Sequence, residues 1–77
     1  MDWKWTEHIK IQLGERKISK ELVEMAINNP DEIVDEGINR KVYQKIIGDK
    51  LIRVVTEETT LITAYLTKKI RKYYKRG

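Results

Sequence analysis

The residues able to do chemistry concentrate towards the two ends of the chain. From Lys68 to Gly77 there are six basic residues and no acidic one. The whole chain has 16 Lys and Arg against 12 Asp and Glu, so outside this tail ten basic residues face twelve acidic ones. The net charge of +4 is therefore a single patch at one end. Such a patch fits a nucleic-acid backbone: Lys68, Lys69, Arg71, Lys72, Lys75 and Arg76 supply charge, and Tyr73 and Tyr74 supply rings on which bases stack. Thr67 is placed to cap a final helical turn, and Lys68 and Lys69 directly after a cap oppose the helix macrodipole. An anion at that point reverses the sign, because free N–H groups, a hydroxyl and two ammonium groups then converge on it. The alternative is a solvated terminus whose charge serves solubility alone.

At the other end, His8 is the only histidine, and its ordinary pKa suits proton transfer near neutrality. Arg16 lies two turns along the same helical flank, about 12 Å away at 1.5 Å per residue, too far to pair but able to line the same groove. The alternative for His8 is a boundary histidine making a local hydrogen bond. Arg53 interrupts the apolar run Leu51-Ile-Arg-Val-Val. Either its face is open to an anion or its charge is paired. Tyr65 belongs to the next strand, at a register relative to Arg53 that the sequence leaves open.

Other chemistries are disfavoured by composition. There is no cysteine, which removes disulfides and thiolate nucleophiles and, with one histidine, a structural zinc site. Asp31, Glu32, Asp35 and Glu36 alternate across the two faces of a short strand and do not converge as a metal cage would. No glycine-rich phosphate loop or calcium loop is present, and no cofactor or metal is expected. No apolar run approaches the roughly 20 residues that span a bilayer, and no signal-peptide pattern opens the chain, so a cytoplasmic protein without membrane contact is expected.

The elements that must position these residues follow from local signals. Thr6 caps a first helix running to about Arg16, with Trp5, Ile9 and Leu13 as its apolar stripe and His8, Gln12 and Arg16 on the adjoining flank. Ser19 caps a second helix, with Ile18 and Val23 in the positions of a hydrophobic staple. Leu22, Val23, Ala26 and Ile27 face the core, and Asn28-Asn-Pro30 ends the helix. Residues 31–36 read as a short acidic strand with Ile33 or Val34 turned inward, followed by a turn at Gly37-Ile-Asn39. Arg40–Ile47 and residues 51–56 pair through a two-residue primed turn at Gly48-Asp49. Glu57–Thr59 lacks glycine, which favours a four- or five-residue loop before the strand over 60–66. The order predicts one α+β domain over 1–77: two N-terminal helices on a three- to four-stranded antiparallel sheet with a short C-terminal helix. With only short connections between strands, every neighbour should be antiparallel and strand 51–56 should be internal.

Thr6-Glu-His8, Glu15-Arg-Lys-Ile-Ser19, Glu24-Met-Ala-Ile-Asn-Asn-Pro30, Arg53-Val-Val and the closing run from Thr63 to Tyr73 together resemble a family of small prokaryotic domains of unknown function. That family is similar in fold to the RelE/ParE-type toxins of toxin–antitoxin pairs. The resemblance implies a RelE-like fold, RNA or the ribosome as target, and an antitoxin protein as partner. It touches His8, Arg16, Arg53, Tyr65 and the Thr67-Lys-Lys69 segment. A metal-independent ribonuclease built on these residues would exchange protons through His8 or Tyr65, with Arg16, Arg53 and Lys68 stabilising the phosphorane. The chain departs from the family pattern at Lys68, where a small polar residue is expected, and this leaves open whether the segment after Thr67 cleaves or only binds. The rival readings are a non-catalytic nucleic-acid-binding or protein-interaction module, and a structural accessory domain.

Overall fold

Two short polar side chains start the two longer helices. In this computed structural model, which describes residues 3–74, Thr6 Oγ1 accepts the Ile9 N–H at 3.1 Å and begins α1 (Glu7–Arg16). Ser19 Oγ likewise accepts the Leu22 N–H at 3.1 Å and begins α2 (Lys20–Asn28). Between them the chain reverses at Lys17, which takes a left-handed φ of 56° and returns its N–H to the end of α1. Ser19→Ala should remove about 1 kcal/mol of stability, read by urea unfolding, because the Leu22 N–H then has no partner in its place. An unchanged midpoint would mean that water replaces the cap at no cost.

The strands are β1 (Lys4–Trp5), β2 (Glu32–Asp35), β3 (Arg40–Ile47), β4 (Lys50–Glu57) and β5 (Thr60–Thr67), and α3 (Ile70–Tyr73) follows. They form one mixed sheet in the order β1-β5-β4-β3-β2. The protein is thus α+β, with β4 at the centre of five strands rather than three or four. One neighbour is parallel: β1 pairs with β5, Lys4 opposite Thr60 and Trp5 opposite Leu61. The expectation of a wholly antiparallel sheet fails there, because it considered only strands joined by short connections. Both helices and three strands separate β1 from β5, so a parallel pairing is geometrically free.

Alternation along β4 divides the interior. Ile52 and Val54 join Ala64 and Leu61 of β5 in a core with Ile9 and Leu13 of α1, Ile18, and Val23, Ala26 and Ile27 of α2. Arg53 points the other way, where α3 lies. On the short edge strand β2, Val34 is half-buried and Ile33 is exposed.

Both central hairpins close tightly. At Gly48-Asp49 only the glycine has a positive φ, +62°, as in a type II′ turn, and Ile47 pairs with Lys50. The second hairpin also has a two-residue loop, Glu58-Thr59, and not the longer one expected, since Glu57 pairs with Thr60. Glu58 takes the left-handed φ of 54° that glycine usually supplies. Its N–H donates to the Asn39 carbonyl at 2.7 Å in the adjacent turn, offsetting a backbone cost of about 1–2 kcal/mol. Two residues on, the register shifts: Val55 faces Thr63 but Thr56 faces Leu61, which leaves Ile62 as an extra residue in β5. The last helix departs from expectation as well. Its N-cap is Lys69, with no side-chain capping bond, while Thr67 Oγ1 accepts the Lys69 N–H at 3.1 Å in a local turn.

Candidate nucleic-acid interface

Arg53 is the best-connected of the residues singled out above. It is 7% exposed, and its pairings resolve the choice between an open face and a compensated charge in favour of compensation. Nε donates to Gln44 Oε1 at 2.6 Å, Nη1 donates to the Tyr65 hydroxyl, and Nη2 lies 3.9 Å from Glu36 Oε2. The guanidinium also lies near two rings, 4.1 Å from the centroid of Tyr73 and 5.7 Å from that of Tyr65. Gln44, fully buried, uses its amide nitrogen to reach Glu32 Oε1 at 2.7 Å and the Tyr73 carbonyl at 3.3 Å. The network therefore ties β2, β3, β4 and β5 to α3. Its donors are directed at protein acceptors, so Arg53 anchors the C-terminal segment in this arrangement.

Gln44, Glu32 and Glu36 join this network without having been singled out by the sequence as part of it. Gln44 carried a usable signal. A two-residue turn pairs Ile47 with Lys50, and three residues back on each side stand Gln44 and Arg53. Tyr65 does face Arg53 directly. That pairing depended on the tight second turn and the extra residue Ile62, neither of which announces itself in the sequence.

His8 and Arg16 stand elsewhere, on the exposed flank of α1 beside β5. His8 Nε2 lies 2.9 Å from Gln12 Nε2, and Arg16 Nη1 reaches Gln12 Oε1 at 3.5 Å. Arg16 crosses to β5 as well, bonding Thr63 Oγ1 at 3.2 Å and the Ala64 carbonyl at 2.8 Å. The Thr63 hydroxyl in turn contacts Gln12 Oε1. The bulge at Ile62 next to Thr63 is the kind of irregularity that re-aims a strand side chain. Among the described residues no hydrogen bond, ion pair or ring contact joins the His8–Arg16 group to the Arg53–Tyr65 group. They meet only through β5 itself, which carries Thr63 and Tyr65. The four residues expected to share one catalytic centre thus form two separate clusters.

The cationic segment begins where β5 ends. Lys68, Lys69, Arg71 and Lys72 are all exposed. Lys72 Nζ lies 5.3 Å from the Tyr73 ring centroid, so one tyrosine carries Arg53 and Lys72 together. Lys68, Lys69 and Arg71 make no ion pair among the described residues, whereas Lys10 pairs with Glu7 and Arg40 with Glu57. The helix starts after Lys69 and not after Thr67, and the Lys69 N–H donates to Thr67 Oγ1, so that N–H is not free for an anion. What remains is an open row of positive charge. Lys75 and Arg76, the other cations of the tail, lie outside the described residues. No helix is long and apolar enough to cross a membrane among the described residues.

No curated protein and no solved structure matches the chain. A family model does: that of the domain of unknown function DUF4258 matches residues 5–66, from Trp5 of β1 to Leu66 of β5. The match spans both capped helices, the buried Arg53 and its partner Tyr65, and it stops short of the cationic segment from Lys68 onward. The chain belongs to the DUF4258 family of domains of unknown function.

Proposed function

We propose that this domain is the RNA-directed toxin of a toxin–antitoxin pair, working in the cytoplasm and acting by binding RNA or a ribosomal RNA surface. The observation that carries this reading is the row of exposed cations at Lys68, Lys69, Arg71 and Lys72. Three of the four have no carboxylate partner among the described residues, and Tyr73 sits beside them. Unpaired cations flanked by aromatic rings serve a polyphosphate backbone, whose condensed counterions they release on binding. The resemblance to RelE/ParE-type toxins supports the same target, and an acidic antitoxin would cover the same positive surface.

Binding is favoured over cleavage by the separation of the two clusters. Metal-independent cleavage needs a base, an acid and phosphorane-stabilising cations around one phosphate. Here His8 and Arg16 are apart from Tyr65 and Arg53, and Arg53 is committed to the fold. Induction of the protein alone in a bacterial host should arrest growth while bulk RNA stays intact, and co-expression of its antitoxin should relieve the arrest. Purified protein incubated with RNA in excess chelator should bind without cutting. Fragments ending in 2′,3′-cyclic phosphate would instead establish the ribonuclease reading, and His8→Ala should then lower cleavage by about 10²–10⁴-fold if His8 is the acid or base. Unarrested growth together with no RNA binding would refute the proposal.

A further inference from the structure

One hydrogen-bonded chain has its polarity set throughout by an arginine. A guanidinium only donates. Arg16 Nη1 is 3.2 Å from Thr63 Oγ1, so that oxygen accepts, and the single hydroxyl proton is directed onward to Gln12 Oε1, which it contacts. Arg16 Nη1 also approaches Gln12 Oε1, at 3.5 Å. With two donors facing Oε1, the amide NH₂ of Gln12 faces His8, and the Nε2···Nε2 distance is 2.9 Å. An amide nitrogen offers no lone pair, so His8 Nε2 must accept. A neutral imidazole that accepts at Nε2 carries its proton at Nδ1.

We propose that Gln12 is a positioning residue that holds neutral His8 as its Nδ1–H tautomer, so that the exposed ring presents an N–H donor to an oxyanion. The ligand class, a phosphate oxygen of an RNA backbone, rests on the RNA-binding reading above; the tautomer does not. An unconstrained imidazole favours the Nε2–H form, so the network works against the ring's own preference. The same arrangement removes His8 as a ready general base. Its Nε2 lone pair is engaged by Gln12, and its Nδ1 already bears the proton. A donor at His8 and the Arg16 guanidinium on one helix flank suit recognition of negative oxygen and not proton abstraction.

The test uses the full chain labelled with ¹⁵N-histidine, in which His8 gives the only imidazole signals. Spectra are taken across a pH series and read on its alkaline plateau, where the ring signals no longer move with pH. The unsubstituted chain should show the Nδ1–H pattern. Gln12→Glu, which keeps the shape and puts an acceptor where the amide NH₂ stood, should invert it to Nε2–H. Gln12→Ala should lower the Nδ1–H to Nε2–H ratio about fivefold, which corresponds to about 1 kcal/mol for one hydrogen bond. An Nε2–H ring in the unsubstituted chain, or one ratio shared by all three proteins, overturns the proposal. Inorganic phosphate then probes the ligand: it should move the Nδ1 resonance of the unsubstituted chain, and an unmoved resonance overturns the oxyanion assignment. Failure of a single-stranded oligouridylate to bind at all, with the tautomer and the phosphate response as expected, overturns the RNA reading alone.

Discussion

Arg53→Ala is expected to lower folding stability by about 3–5 kcal/mol, the range for removing one partner from a buried charged network. Several losses act together. Gln44 Oε1 keeps no donor although the residue is fully buried, and the desolvation of one such orphan costs about 1–3 kcal/mol. The Tyr65 hydroxyl loses its arginine, and the Tyr73 ring loses the cation on its face. A domain of this size has roughly 4–12 kcal/mol of stability at about 0.05–0.15 kcal/mol per residue, so a loss of this size removes a large share of it. Urea unfolding followed by tryptophan fluorescence gives the loss directly. Arg53→Lys should recover little, because an ammonium cannot serve Gln44, Tyr65 and two rings from one fork. A loss below about 1 kcal/mol would show that the network is solvated rather than sealed, since solvent-exposed pairs fall in that range. Any RNA-binding deficit in these variants must be compared at equal folded fraction.

Replacing Lys68, Lys69, Arg71 and Lys72 together with alanine should leave the fold intact and remove most of the affinity for single-stranded RNA. These side chains are exposed, and three of them make no ion pair among the described residues, so little stability depends on them. Each phosphate contact contributes about 0.7 to the log–log salt slope for a single strand, so loss of four contacts should flatten the slope by about 3. Filter binding or fluorescence anisotropy across a salt series separates this from a generic weakening, because affinity and slope must fall together. An unchanged slope would make the segment a bystander, and the DUF4258 match that ends at Leu66 would then mark the full extent of the functional unit.

Local chemistry was enough to read the two helices and the first hairpin from sequence. Thr6 and Ser19 cap where their oxygen-bearing side chains precede an apolar period, and Gly48-Asp49 turns where a positive φ is cheapest. Each of these preferences acts over three or four residues, so no distant partner is needed to settle it. The same hairpin already implied that Gln44 faces Arg53. What only the tertiary structure decided lies at long range or against local preference. Trp5 joins β5 across 55 intervening residues, a pairing no local pattern encodes. Glu58 accepts a left-handed backbone because Asn39 of the neighbouring turn holds its N–H. That tight turn, with the extra residue at Ile62, sets Tyr65 against Arg53 and leaves Thr63 bonded to Gln12. The two clusters of candidate residues therefore follow from the register of one strand, which depends on contacts made across the sheet and not on the residues beside them in the chain.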